Sequence, residues 1–333
     1  MIAALTWFEC DASPAAGPIA GVWAPAELSA AANGWVPTRS RGRATFAAMT
    51  LRELLDILDL ERLEDRLFRG RSHHTAWGRV FGGQVLAQAL LASALTVPDD
   101  RRVHSMHGYF ILGGDIARPI VYDVDRIRDG RSFTTRRSIA VQKGEAIFNS
   151  AASFHVGEDP VIEHQVARPT VPGPEALADM RTLAEAYRDK APALAASLGR
   201  ELPIEVRPVD QFDLLAPEAY PPRYRLWIRA AGRLPDDQRL HDAVLAYASD
   251  YHLLTTAVVP HLREVSFPEV TLTSLDHAMW FHAPARADEW LLVDIESPRA
   301  TGGRGFTRAS VFDRDGTLVC SVVQEGLVRR RRR

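Results

Sequence analysis

The two halves of this chain repeat each other, and that repeat restricts the possible folds more than any other feature. "GRSFTTRRSIAVQKGEAIFNSAAS", beginning at 130, returns as "GRGFTRASVFDRDGTLVCSVVQ", beginning at 303. "SMHGYF" returns as "LDHAMWF", so that His107, Tyr109 and Phe110 answer His277, Trp280 and Phe281, with one extra residue in the second copy. A repeat of this length with its elements in the same order is a duplicated fold.

Each copy reads as one long helix and a set of strands. In the first, "FGGQVLAQALLASALTV" has helical character and stops at Pro98. Strand-like "VHSMHGYFIL", "PIVYDVDRIRD", "SFTTRRSIAVQ" and "EAIFNSAASFHV" follow, the later ones joined by the turns "DGR" and "KGE". In the second, strands "EVRPVD" and "RYRLWIRAAG" precede the helix "QRLHDAVLAYASDYHLLTTAV". Strands "VTLTSLDHAMWFH", "EWLLVDIESP", "GFTRASVFDRD" and "TLVCSVVQEGLV" come after it. A helix with an antiparallel meander is an α+β unit. The boundaries expected are 49–160 for the first domain and 204–329 for the second. Between them, 161–203 is a Pro-containing linker with the helical segments "EALADMRTLAEAYR" and "APALAASLGR". Residues 1–48 carry no helical or strand period and are expected to be largely disordered. The period begins with "TLRELLDIL", which makes Met49 a candidate natural start.

Composition is that of an ordinary globular protein, with 46% hydrophobic and 25% charged residues. A formal net charge of −2 points to no nucleic-acid partner. The arginines Arg329 to Arg333 are therefore expected to form a solvated tail. No run is apolar for the roughly 20 residues a membrane span needs, so no stable membrane anchor is expected. The N-terminus lacks the pattern of a secretory signal. Cys10 and Cys320 make neither a disulfide framework nor a metal-ligand spacing, and a reducing cytoplasmic location is expected. His73 with His74, and His277 with His282, also fail as metal pairs, so neither a metal nor a cofactor is expected.

The repeat marks the places where the copies differ in chemistry. Gly144 and Gly316 are equivalent turn glycines, and eight residues beyond them stand Ala152 and Gln324. Aligning "VLAQA" with "VLAYA" sets Asp250 against Leu91, and aligning His107 with His277 sets Ser274 against His104. Asp250 continues the apolar stripe Leu240, Ala243, Tyr247, Leu254. A carboxylate on such a stripe is costly unless hydrogen bonds support it. An ionised carboxylate with neutral hydrogen-bonding neighbours can hold and deprotonate a water. The plain reading stands beside this one: Asp250 on an exposed helix edge and Gln324 at the frayed end of an edge strand. Strict alternation also puts Ser274 on one face with Asp276 and Trp280, which makes Asp276 a rival acid.

The stretches "LFRGRS", "RVFGGQVLAQAL", "VHSMHGYFI", "LWIRAAGRLPDD", "HDAVLAYASDYHLL", "EWLLVDIESPRATGGRGF" and "CSVVQEGLVR" resemble the acyl-CoA thioesterase II family. The resemblance runs from about Thr50 to Arg329. It implies two fused hotdog folds, each a long helix wrapped by an antiparallel sheet. It also implies a catalytic trio, which by motif is Asp250, Ser274 and Gln324. Ser274 stands where many relatives carry Thr. One departure is "FILGGD", where relatives usually carry Arg after the Leu.

The implied reaction is hydrolysis of fatty acyl-CoA to fatty acid and CoA by a water that Asp250 activates with Gln324 and Ser274. "VFGGQ", holding Gly82, Gly83 and Gln84, is the candidate substrate-binding turn. Backbone N–H groups at a helix start can hold an oxyanion. Alternatively, its glycines only permit close helix–sheet packing. A hotdog-fold enoyl-CoA hydratase and a non-catalytic acyl-CoA-binding protein are the competing functions; His252 lies near Asp250, but no hydratase Asp-then-His motif is present. Absence of G-x-S-x-G disfavours a serine hydrolase. Exposed sheet edges point to a homodimer or homotetramer.

Overall fold

The computed structural model describes residues 48–331, apart from 74, 76 and 77. The expectations for 1–48 and for Met49 as the start fall outside the described residues, save for the last of them. From Met49 the chain enters α1 (Leu51–Leu58), capped by Thr50 and Glu53 in a reciprocal box.

The first half contains β1 (Glu61–Arg62), β2 (Leu67–Gly70), α2 (Gly82–Ala94), β3 (Arg101–Phe110), β4 (Ile120–Asp129), β5 (Phe133–Gln142) and β6 (Glu145–Val156). Between the halves lie α3 (Met180–Glu185) and α4 (Pro192–Leu198), shorter than the helical segments expected there. The second half contains β7 (Ile204–Pro208), β8 (Arg223–Ala230), α5 (Gln238–Ser249), β9 (Val270–Ser274), β10 (Asp276–Phe281), β11 (Leu291–Thr301), β12 (Arg304–Phe312) and β13 (Leu318–Arg330).

All strands join one antiparallel sheet in the order β1-β2-β4-β5-β6-β3-β10-β13-β12-β11-β8-β7, with β9 paired to β13. The order is mirrored about the β3–β10 seam, where Met279 faces Met106 and Ala278 faces His107. Each half is thus a long helix wrapped by an antiparallel sheet. Helix α2 has no solvent face at all: every residue from Gly82 to Ala94 is buried. That explains why apolar residues dominate it, since a helix enclosed on all sides has no need of a polar stripe, and its buried Gln84 and Gln88 must find partners inside. α2 and α5 pack on each other, so closely at Gly83 that a Cβ there would fall 2.3 Å from the Tyr247 carbonyl oxygen.

Five expectations need correction. The stretch 270–282 is two strands rather than one, broken at Leu275. β13 pairs Ser274 with Gly326 but Ala278 with Val323, so Leu275 is one residue too many, a bulge. The first copy has the same bulge at His104, between Val103 paired with Phe154 and Ser105 paired with Ser153. Counted through these ladders, the mate of Ser274 is Val103 rather than His104, and the mate of His277 is Met106 rather than His107. Burial agrees, because Met106 and His277 are buried while His107 is exposed.

Helix α5 ends at Ser249 and does not run on to 258 as its pattern suggests. His252 turns the chain with a φ of 63° and short 3-10 turns follow. The arginine run is also not simply a tail, since Arg329 and Arg330 are ladder residues opposite Thr271 and Val270. Arg332 and Arg333 lie outside the described residues.

Candidate active site

Asp250, Ser274 and Gln324 come from three separate elements: the end of α5, the end of β9 and the middle of β13. They meet through one amide. Gln324 Nε2 donates to Asp250 Oδ1 at 3.1 Å and to Ser274 Oγ at 2.6 Å. Ser274 therefore touches Asp250 only through Gln324. The other carboxylate oxygen, Oδ2, accepts the Gly83 N–H at 2.9 Å. Gln324 is fully buried in an interior strand, not at a frayed edge, and Asp250 is largely covered. Gln324 Oε1 is buried and has no hydrogen-bond partner among the described residues.

The bulge at Leu275 separates the rival acid from this cluster. Val270, Leu272 and Ser274 face inward before it; His277, Met279 and Phe281 face inward after it. Asp276 is carried off the inner face, where its Oδ1 accepts the Glu325 N–H at 2.7 Å.

Electrostatics single out Asp250. Burial raises its pKa from 3.8 to about 7, against the lowering by the Gln324 amide and the Gly83 N–H. A carboxyl poised there is a base matched to neutral pH. The buried histidines nearby move the other way. Burial drives His277 to about 3 and holds His252 well below its usual value. His277 shares a hydrogen bond of 2.9 Å with Ser249 and so braces the end of α5 against β10. His252 turns toward Tyr224, ring centroids 5.4 Å apart, so it does not form the acid–histidine pair of a hydratase with Asp250.

The turn 81–84 has divided roles. A Cβ on Gly82 would lie 2.7 Å from Asp250 Oδ2, and one on Gly83 would strike α5. Close approach thus requires both glycines, while the Gly83 N–H is spent on the carboxylate rather than left facing an oxyanion. The Gln84 side chain turns away from the acid: its amide donates to the Arg71 carbonyl at 3.1 Å and accepts from the His73 N–H at 3.3 Å.

Sequence reasoning missed the partner of Gln84 in this role. Gln88 is fully buried, donates to the carbonyls of Ile57 and Arg71 and accepts from the Tyr122 hydroxyl at 2.7 Å. Its one signal was an amide interrupting an apolar helix. Gly113, the residue where Arg was expected, is covered by Arg79: a Cβ there would fall 2.1 Å from Arg79 Nη1. No cluster of side chains suited to a metal occurs among the described residues.

Comparison with known proteins agrees with this architecture. A family model described as acyl-CoA thioesterase matches residues 200–327, and one described as acyl-CoA thioesterase N-terminal domain matches residues 71–155. The chain is 43% identical to human acyl-coenzyme A thioesterase 8, over 82% of this chain and 88% of that protein. It is 37% identical to acyl-CoA thioesterase 2 of Haemophilus influenzae, over 84% of this chain and 98% of that one. Among solved structures, an acyl-CoA thioesterase II, TesB2, from Mycobacterium marinum superposes with a TM-score of 0.69 at 42% identity, covering 84% of this chain and 98% of that one. A hot dog fold protein of Alicyclobacillus acidocaldarius shares the fold at 19% identity and a TM-score of 0.66, over 84% of this chain and 98% of that one.

Proposed function

This chain belongs to the acyl-CoA thioesterase family, and we propose that it hydrolyses fatty acyl-CoA through a water activated by Asp250, with Gln324 and Ser274 holding the acid in place. The observation that carries the residue assignment is the Gln324 amide, both of whose N–H groups are spent on Asp250 and Ser274. With its donors fixed, the amide can only offer Oε1 to an incoming group. A water donating one proton to Oε1 and the other to Asp250 has its lone pair free for the thioester carbonyl.

Attack forms the new C–O bond and moves the proton to Asp250. Collapse of the tetrahedral adduct breaks the C–S bond, and the departing thiolate takes the proton back from Asp250 to become the CoA thiol, which restores the carboxylate. The N-terminus of α2 lies against the acid, and its positive end favours negative charge developing there. Gly82, where a Cβ would fall 2.7 Å from Asp250 Oδ2, is the backbone position we assign to the oxyanion.

Release of free thiol across a series of acyl-CoA chain lengths tests the reading. Hydration of crotonyl-CoA without thiol release would favour the hydratase, and binding without either product would favour a non-catalytic binding protein. We further infer a homodimer or homotetramer in a reducing, cytoplasmic setting. The open edge strand Ile204–Pro208 and the exposed side chains Tyr109, Ile111 and Leu112 support self-association. Light scattering distinguishes the two assemblies.

A further inference from the structure

The matched register of the two halves locates the twofold mate of the Asp250 site. Leu91, Val103 and Ala152 stand there in place of Asp250, Ser274 and Gln324, and Asp242 stands in place of Gly83. Leu91 and Ala152 are buried, but a cavity of about 440 Å³ opens beside them at Val103 and Asp242, with Leu90, Ala94 and Phe154 completing its apolar wall and Arg102 among its polar groups. That volume is within the range of small-molecule sites.

Asp242 is the unusual group in this cavity. It is 5% exposed. Its Oδ1 accepts from Gln238 Nε2 at 2.8 Å and lies 3.8 Å from Arg102. Its Oδ2 accepts no hydrogen bond among the described residues. Burial pushes its pKa up to about 6. A carboxylate oxygen that has no donor, on a side chain otherwise this buried, is an acceptor for any ligand that brings one. The Arg102 side chain makes no hydrogen bond among the described residues, and the charges beyond it are engaged: Arg239 holds Asp237 and Asp99, Arg101 holds the Gly130 carbonyl and the Thr134 hydroxyl, and Asp236 is held by Arg286. The cavity therefore presents an acceptor above an apolar wall.

We propose that this cavity is a second, non-hydrolytic binding site for a slender aliphatic ligand bearing an N–H donor, with the chain against Leu90, Ala94, Val103 and Phe154 and the N–H on Asp242. Two sources supply that chemistry: the secondary amide of a pantetheine arm and the primary ammonium of an alkylamine. Hydrolysis cannot follow, because the trio positions hold only aliphatic side chains. The site stands whether or not Asp250 is the catalytic base.

Calorimetric titration of the full chain with pantetheine, hexylamine and hexanoate, each alone, tests the site. Pantetheine or hexylamine is expected to bind, and Asp242→Asn and Ala94→Leu are each expected to weaken that binding at least tenfold with thiol-releasing activity unchanged. Hexanoate is expected to show no Asp242-dependent binding. Tighter binding of pantetheine identifies the amide source and tighter binding of hexylamine the ammonium source. If Asp242→Asn does not fold, Ala94→Leu decides alone. Absence of binding by both probes to the unaltered protein, or binding indifferent to the substitutions, overturns the site.

Discussion

Gln324 occupies in the second half the position that Ala152 occupies in the first. Each lies opposite a buried residue of the neighbouring strand, Thr307 for Gln324 and Arg136 for Ala152. The same backbone thus carries an amide in one copy and a methyl group in the other, and only the copy with the amide has a carboxylate beside it. This asymmetry sets the candidate site apart from its twin in an otherwise symmetric scaffold.

Replacing Gln324 with Ala restores the first copy's residue and removes a donor that lowers the pKa of Asp250. The acid then ionises at higher pH. The pH–rate profile, with its midpoint near pH 7 in the unaltered protein, should shift to more alkaline pH, and the maximal rate should fall as well. Profiles of kcat for both proteins check this.

Stability should respond to Asp250 in the opposite sense to activity. Its folded pKa of about 7 lies above the 3.8 of an unperturbed aspartate, so the native state holds the proton more tightly. Stability is then lost as pH rises from about 4 through 7. Asp250→Asn avoids that penalty. At pH 8 the variant should equal or exceed the unaltered protein, by up to roughly 2–4 kcal/mol at about 1.4 kcal/mol per pKa unit, and the gain should vanish near pH 4. Urea unfolding at the two pH values measures the difference.

The two glycines of α2 should separate cleanly. In a Gly83→Ala variant the new methyl meets the backbone carbonyl of Tyr247, which cannot move aside without displacing α5, and overpacking of that kind costs about 1–3 kcal/mol. In a Gly82→Ala variant it meets the carboxylate of Asp250, a side chain that can shift. Gly82→Ala should therefore melt near the unaltered temperature while losing at least tenfold in kcat. Gly83→Ala should melt lower.

Ser274 is expected to act by positioning the amide. Ser274→Thr keeps the oxygen that Gln324 donates to and should retain most activity. Ser274→Ala frees one N–H of a buried amide, at a cost of about 1–3 kcal/mol, and should lower kcat more than it raises KM. Steady-state kinetics of the pair separates the two outcomes.

The duplication, the helix-and-sheet composition of each half and the three residues that meet at Gln324 were legible in the sequence. Counting from Gly144 and Gly316 found the Ala152–Gln324 pair because each copy shifts register at the same place, at Ile147 and at Val319, so the two counts stay in step. Ser274 was set against the wrong residue because His107 and His277 look equivalent in sequence, whereas the ladders make Met106 the mate of His277 and so shift the whole count by one. His104 and Leu275 look like ordinary strand residues, and only the ladder shows that they are supernumerary. The end of α5 was missed for a similar reason. No Gly or Pro stops the helix; the left-handed backbone of His252 does. The bond from Gly83 to Asp250 joins residues 167 positions apart and depends on how two helices pack, which no local pattern encodes.

The most direct test is single-turnover release of CoA thiol by Asp250→Asn, in a preparation whose circular dichroism and melting match the unaltered protein. The account predicts a loss of about 10²–10⁴-fold in the chemical step with acyl-CoA still bound. A folded Asp250→Asn protein that releases thiol at the unaltered rate would contradict it.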